Sequence, residues 1–171
     1  NLCDKNGKII KKSFILGLSL KTGIENTFFN YFVQGATVMI TGKMRDFVLP
    51  FPEEAYLHDR YIHLIAELFF ERIFIDKSLL SYRQHDSNQI GGTTALRKLI
   101  KKRYFDNRDR NLIEKLYNKY NKNLREDRKR MIKEYLEITD ERKNRLSRFL
   151  RLKRTRIKMP LKKQLSLLIK G

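Results

Sequence analysis

The chain has 171 residues, of which 41% are hydrophobic and 33% are charged, and its formal net charge is +19. A chain of this length can form one domain with a core, and the hydrophobic share argues against disorder throughout. The longest apolar runs are far shorter than the ~20 residues that span a bilayer, and the single cysteine, Cys3, excludes an internal disulfide and the common cysteine-based zinc modules.

The excess of positive charge is confined to the second half of the chain. Residues 1–95 contain 11 Lys and Arg and 10 Asp and Glu, so this part is nearly neutral. Residues 96–171 contain 27 basic and 9 acidic residues, which is a net charge of +18. Such a tail requires an anionic partner or full solvation, and the phosphates of lipid headgroups, of a nucleotide-linked substrate or of nucleic acid all qualify.

Short elements are predicted for the first fifty residues. Asn6-Gly7 predicts a hairpin turn that leads into the apolar residues 9–10, and residues 27–32 predict a helical turn or loop. The β-branched residues 36–41 predict a buried strand, and Gly35 before them predicts a close approach of the backbone to another group. Residues 43–48 predict a short helix, which the prolines at positions 50 and 52 stop.

Residues 59–70 give the clearest helical pattern of the first half. Apolar residues recur there at spacings of three and four and define one face, with His63 expected at the surface. The residues of this face are Ile62, Ile65, Ala66 and Phe69. Residues 72–75 and 78–82 then predict two short strands or one bent strand.

From Thr93 onward every segment has a helical pattern, with Asp106 and Asp140 as candidate helix caps. We therefore predict an α/β region over residues 1–92, closed by Gly91-Gly92, and a mainly α-helical, basic C-terminal region over residues 93–171.

His58-Asp59 stands at the predicted start of a helix, directly after a proline-bounded loop. An acidic residue at this place is often only a helix cap or a first-turn acid that favours the helix dipole. The functional alternative is a general base, because a carboxylate fixed at a helix start beside a cleft can take a proton from an attacking hydroxyl.

A second polar cluster runs from Tyr82 through Arg83, Gln84 and His85. It is either an ordinary polar loop or a binding site for a diphosphate and its metal ion. Arginine makes bidentate contacts to phosphate, and a neutral imidazole can ligate a divalent cation.

The basic tail also has two interpretations. Lysines and arginines on helices commonly form a solvated face. However, residues 151–158 include five basic residues and no acidic one, and the apolar helix predicted at 161–169 follows with further lysines. This combination favours a membrane surface over nucleic acid, for which no stacking-aromatic motif or recognition helix is present in the sequence.

Six ordered segments resemble family-2 glycosyltransferases of the GT-A fold, and most closely the bacterial rhamnosyltransferase-like members. They are residues 4–10 (DKNGKII), 32–40 (FVQGATVMI), 49–52 (LPFP), 58–59 (HD), 75–85 (IDKSLLSYRQH) and 88–91 (NQIG). The likeness covers about residues 1–92 and implies the acceptor-side half of a GT-A domain, a partial mixed sheet with helices.

The resemblance also implies roles for individual residues. Asp59 would be the catalytic base of an inverting sugar transfer, and His85 would help to hold a divalent metal, Mg²⁺ or Mn²⁺, with the diphosphate. The residues implied to contact substrate are Gly35, Ala36, Thr37, His58, Arg83 and Gln84. The implied donor is a nucleotide sugar, with dTDP-rhamnose as the candidate, and the acceptor is a saccharide or a lipid-linked saccharide. The enzyme would build bacterial cell-surface polysaccharide on the inner, cytoplasmic face of the plasma membrane, reached through residues 151–170.

One feature of the family is missing from the chain. The Asp-x-Asp motif of the nucleotide-binding half would precede Asn1, and no such motif occurs in the sequence. Since the chain also begins without a leader pattern, we expect it to start inside a longer protein and to transfer sugar poorly by itself. The alternative is a non-catalytic remnant whose basic helical tail binds anionic membrane or RNA.

Overall fold

A computed structural model describes residues 1–12, 22–30, 35–75, 77–83 and 107–169. The described residues have a mixed α/β fold with a small three-stranded sheet. It divides into two compact units, of which the first comprises residues 1–20 and 73–103 and the second residues 21–72 and 104–171. These units do not follow the division predicted at residue 92, which stays a prediction.

The first unit contains a three-stranded sheet in the order β2-β1-β3. Strand β1 (Leu2–Cys3) is antiparallel to β2 (Ile9–Lys11) and parallel to β3 (Tyr82–Arg83). The Asp4 carboxylate closes the β1–β2 turn by accepting the N–H groups of residues 6 and 8, both at 2.9 Å, and Gly7 has a φ of 85°. Because this left-handed value suits glycine, the predicted Asn-Gly hairpin is confirmed.

Of the residues predicted as strand after position 71, Tyr82 is confirmed, and the rest of the described ones are wrong. Residues 72–75 and 78–81 form no strand, and pairing starts only at Tyr82. The Lys77 N–H donates to the Ile75 carbonyl at 2.8 Å, so the chain bends where the strands were expected. β-Propensity produces a strand only where a neighbouring edge supplies partners, and β1 offers an edge of two residues.

The buried strand predicted at residues 36–41 is also wrong. A 3₁₀ turn over Gly35–Thr37 begins this segment, with the Val38 N–H donating to the Gly35 carbonyl at 3.2 Å. Met39 is 97% exposed. Thr41 caps helix α2 (Gly42–Val48) by accepting the Met44 N–H at 3.2 Å. The short helix predicted here is confirmed; α1 (Ile24–Thr27) precedes it.

Helix α3 (His58–Phe69) confirms the predicted helix, and it buries a wider arc than the predicted face, of which Ile65 and Ala66 are buried. Tyr61, Leu64 and Ile65 are fully buried, whereas Ile62 and Phe69 of the predicted face are only partly buried. The prediction of a surface position for His63 is wrong, because its imidazole is buried beside Glu67. Helices α1 and α2 both pack on α3, so the buried arc is wider than one stripe.

Four helices confirm the helical pattern of the C-terminal region within the described residues. They are α4 (Asn107–Tyr120), α5 (Glu126–Thr139), α6 (Arg145–Arg154) and α7 (Leu161–Ile169), and a 3₁₀ turn over Asn121–Asn123 follows α4. Successive helices pack against each other. None of the helices within the described ranges is long and apolar enough to cross a membrane.

Of the two predicted caps, Asp106 and Asp140, the structure describes only Asp140, which does not directly precede a helix. Asp106 lies outside the described residues, and Asp140 follows the end of α5 and binds Arg142 through two oxygens, each at 2.9 Å. The cap of α6 is Asn144, whose side chain accepts the N–H groups of residues 146 and 147. Asp140 is therefore not the cap of a following helix, because four residues separate it from α6.

An aromatic stack joins the two sequence segments of the second unit. The Phe28 ring, just after α1, stacks on Tyr135 of α5 at a centroid distance of 4.7 Å. Phe47 of α2 stacks on Tyr120 of α4 at 5.1 Å. Residues from before and after position 92 thus share one hydrophobic core.

Candidate functional site

A polar corner forms where the 3₁₀ turn meets the start of α3. The Gly35 N–H donates to Asp59 Oδ2 at 3.2 Å, and the Arg60 N–H donates to Asp59 Oδ1 at 2.8 Å. An acidic side chain in the first turn of a helix is favoured by the helix dipole. The Asp59 side chain is only partly buried, so we name Gly35, His58 and Asp59 the Gly35–Asp59 corner and treat it as the candidate site.

Glycine at position 35 leaves room for the neighbouring imidazole. A Cβ atom placed on Gly35 would lie 2.4 Å from Nε2 of His58, a distance at which atoms overlap. The predicted close approach of the backbone at Gly35 is thereby confirmed, and the group that it approaches is His58. The His58 imidazole is exposed, and His58 directly precedes Asp59 in the sequence.

Arg60 anchors the start of α3 from inside the protein. Its guanidinium is almost fully buried and donates to the carbonyls of Thr27 and Phe28 at 2.9 and 3.0 Å. Its Nε donates to Asp109 Oδ1 at 2.9 Å, an oxygen that also accepts the Tyr56 hydroxyl at 3.1 Å. Charge-assisted bonds to three acceptors in two separate segments fix the backbone next to Asp59.

A buried polar cluster lies one to two turns further along α3. Glu67 accepts the Gly23 N–H at 2.9 Å and the Arg72 Nε–H at 2.8 Å, and its Oε1 lies 3.6 Å from Nε2 of His63. Burial lowers the pKa of His63 below its usual value, which favours the neutral imidazole. Burial alone would raise the pKa of Glu67, but the contacts with His63 and Arg72 outweigh it and lower the pKa. These paired groups tie α1 to α3 and serve the fold.

The structure brings together some of the predicted site residues. Gly35 and His58 adjoin Asp59, and Ala36 and Thr37 are exposed in the same 3₁₀ turn. Arg83 lies in β3 of the first unit. Gln84 and His85 lie outside the described residues, so their convergence with Asp59 stays a prediction.

Sequence reasoning missed Arg60 and Asp109. A usable signal for Arg60 was present, because an arginine inside an otherwise apolar helix face must find partners if the face is buried. Its partners could not be found this way, since Asp109 is 49 residues away in the sequence.

The described residues do not fit a divalent cation. No group of three or more His, Cys, Asp or Glu side chains comes together among them in a way that could hold a metal. Both Asp59 oxygens are also engaged by backbone N–H groups. The metal site predicted around His85 lies outside the described part of the chain and stays a prediction.

The corner can perform one kind of chemistry by itself. A carboxylate whose two oxygens are held by backbone donors keeps one orientation, and its partly exposed surface remains open to a hydroxyl group. Such a group can accept a proton from a bound alcohol.

Comparisons of the chain with protein-family models, with curated proteins and with solved structures gave no match.

Proposed function

We propose that the chain is the acceptor-side part of an inverting, nucleotide-sugar-dependent glycosyltransferase with a GT-A architecture. The observation that supports this proposal is the Asp59 carboxylate, held at the start of α3 by the Gly35 N–H at 3.2 Å. The resemblance of six ordered segments had assigned the base to this residue and the substrate contact to Gly35, which is 24 positions away. Gly35 and Asp59, to which the resemblance assigned roles from the sequence alone, are therefore hydrogen-bonded to each other.

The proposed reaction is a displacement at the anomeric carbon of the donor sugar. A lone pair of the acceptor hydroxyl forms the new C–O bond while the bond to the nucleoside diphosphate breaks, so the configuration inverts. Asp59 accepts the hydroxyl proton, and the diphosphate leaves with the bonding electrons. Arg83 would pair with the diphosphate through its guanidinium fork.

Rigid placement of the base is what the second unit contributes to this proposal. A general base must stay within hydrogen-bond reach of the proton that it removes. Arg60 holds the adjoining backbone through Asp109 and two carbonyl oxygens, and Gly35 holds the carboxylate itself. The exposed side chains of Ala36, Thr37 and His58 would border the acceptor sugar.

Several parts of the proposal rest on the resemblance alone. They are the donor, with dTDP-rhamnose as the candidate, the saccharide or lipid-linked acceptor, and the role in bacterial surface polysaccharide at the inner membrane face. The divalent cation that His85 would help to hold also rests on the resemblance alone. Binding of the nucleotide would need an Asp-x-Asp half that the chain does not contain.

The test uses the longest reading frame that contains this chain, with and without Asp59→Asn. Transfer is measured as nucleoside diphosphate released from a panel of nucleotide sugars, and donor binding is measured by calorimetry. We expect Asp59→Asn to lower turnover by about 10²- to 10⁴-fold, the usual contribution of a general base, while donor binding persists. Asp46→Asn, an exposed aspartate on α2, is the matched control and should leave turnover unchanged.

Two results would reject the proposal. Unchanged turnover in Asp59→Asn would remove the base from its role. Absence of an Asp-x-Asp segment upstream, together with no donor binding, would favour the non-catalytic remnant instead.

A further inference from the structure

The last thirty residues of the chain are rich in positive charge and include no acidic residue. Twelve Lys and Arg and no Asp or Glu follow Glu141. Several of these cations are exposed on and around α6 and α7. They are Arg151, Lys153, Arg154, Arg156, Lys158 and Lys162. Among them Arg151 has an acidic neighbour, Glu137 of α5, at 3.6 Å.

Leucines stand exposed among these cations. On α7, Leu161 and Leu165 are 68% and 49% exposed, and Leu168 is also exposed. Their spacing of four and three residues puts them on one side of the helix. Leu167, by contrast, is fully buried and belongs to the core. Helix α7 thus has an exposed apolar stripe in addition to Leu167, which packs in the core.

Helix α6 repeats this arrangement. Leu146 and Leu150 are exposed one turn apart, whereas Leu152 is buried in the core. Lys153 Nζ donates to Gln164 Oε1 at 2.9 Å and joins the two helices. Lys153 lies three residues after Leu150, so it neighbours that stripe on the surface of α6.

On α7, Gln164 stands three residues after Leu161 and four before Leu168, so it neighbours the α7 stripe in the same way. The bond between Lys153 and Gln164 therefore connects the two leucine stripes. We name the surface formed by Leu146, Leu150, Leu161, Leu165 and Leu168 with Lys153, Lys158 and Lys162 the leucine–lysine face.

We propose that the leucine–lysine face docks in the plane of an anionic lipid bilayer. Leucines enter the boundary between headgroups and acyl chains, while the flanking lysines pair with lipid phosphates. The proposal is independent of the transfer reaction and goes beyond it by naming the side chains that touch the lipid. It also narrows the predicted segment 151–170, because Leu152, Ile157 and Leu167 are buried and are not available to lipid.

Other occupants fit the face less well. RNA would use the cations but would leave the exposed leucines in water, and stacking aromatic side chains rather than leucines suit single strands. A second copy of the chain would bring its own excess of positive charge against this one, with no acid after Glu141 to balance it. A bilayer that contains anionic lipid matches both the apolar and the cationic part.

The test measures co-sedimentation of the 171-residue chain with vesicles. One set contains only phosphatidylcholine, and the other contains equal parts of phosphatidylcholine and phosphatidylglycerol. We expect binding to the anionic vesicles alone. The triple variant with glutamine at Leu161, Leu165 and Leu168 should bind at least about tenfold more weakly, because each buried leucine contributes to insertion. Its control replaces Met39 and Leu49, two exposed apolar residues elsewhere in the second unit, by glutamine.

A second pair of variants tests the lysines. Lys158→Gln with Lys162→Gln should weaken binding by about fivefold for each charge removed. Lys43→Gln with Lys122→Gln removes the same charge from exposed positions outside the face and should change binding less than twofold.

Circular dichroism checks that the variants fold. If the triple leucine variant unfolds, Leu161→Gln alone takes its place, because Leu161 is the most exposed of the three leucines, and a proportionally smaller loss of binding is expected.

Three results would overturn the proposal. Equal vesicle binding by the leucine variant and its control would reduce the interaction to unspecific charge. Binding to a single-stranded RNA that is as tight as binding to anionic vesicles, and equally sensitive to the leucines, would assign the face to RNA. A wild-type dimer in sedimentation velocity that becomes a monomer in the leucine variant would assign it to a second copy of the chain. Each outcome is separate from the fate of Asp59, which acts in transfer and not in vesicle binding.

Discussion

Replacing Arg60 by methionine tests whether the start of α3 is held from inside the protein. The change removes the donors of two buried carbonyls, those of Thr27 and Phe28, and of the Asp109 carboxylate. Loss of one partner from a buried ion pair costs about 3–5 kcal/mol. Because the Asp109 side chain is 22% exposed and can regain water, we expect the free energy of unfolding to fall by about 3 kcal/mol.

Urea denaturation followed by circular dichroism measures this loss. Arg130→Met, an exposed arginine on α5, is the control and should change stability by no more than about 0.5 kcal/mol. Arg60→Lys should recover only part of the loss, since one ammonium group cannot replace a planar fork with three partners. If Arg60→Met costs less than about 1 kcal/mol, the anchor does not stabilise α3 as its geometry indicates.

Two further predictions concern the surroundings of the corner. In Gly35→Ala the new methyl group would overlap Nε2 of His58, so the exposed imidazole must turn away. We expect a shifted His58 signal in NMR with a stability change of about 1 kcal/mol or less, and an unchanged signal would contradict the close approach. The second prediction concerns pH: the folded-state pKa of His63 is lowered by burial, so the unfolded chain binds a proton more readily. The contribution of His63 to the free energy of unfolding should be constant above pH ~6.5. Below that pH the free energy of unfolding should fall by at most about 1.4 kcal/mol per pH unit, and His63→Gln should remove this slope. An equal slope in both proteins would assign it to other groups.

The elements that the sequence predicted correctly depend on local signals. Helix α2 ends where prolines 50 and 52 forbid continuation, and the Asn6-Gly7 turn meets the conformational demand of a tight hairpin. These outcomes depend on neighbours within a few positions. Periodicity likewise located α3, which begins one residue before its predicted start.

The wrong predictions depend on partners that are distant in the sequence. Residues 36–41 have the composition of a buried strand, but a strand needs an adjacent edge, and none pairs with them in the described structure. His63 is polar and was expected at the surface, yet α1 packs on α3, and the imidazole is buried beside Glu67, which accepts the Gly23 N–H from 44 positions away. Neither a pairing edge nor the packing of a distant segment over a polar side chain can be read from a window of ten residues.

The candidate site also combines a feature that the local sequence predicts with contacts that depend on distant residues. A glycine that admits a close neighbour was predictable, because glycine alone has no side chain to obstruct it. That the neighbour is His58, and that the Gly35 N–H holds Asp59, follows from a turn that brings together residues 24 positions apart. Arg60 was missed for the same reason, since all its partners are at least 32 positions away.

The proposed base and the proposed membrane face belong to one unit and are joined by short contacts. On α7, Lys163 Nζ donates to the carbonyl of Phe29 at 2.8 Å, and the neighbouring Phe28 carbonyl accepts the Arg60 guanidinium. Arg60 in turn adjoins Asp59 on α3. Because buried or partly buried hydrogen bonds form each link, docking of α7 on a bilayer would hold the Gly35–Asp59 corner at a constant orientation to the lipid surface. Under the two proposals together, the basic C-terminal helices would position the base as well as bind membrane.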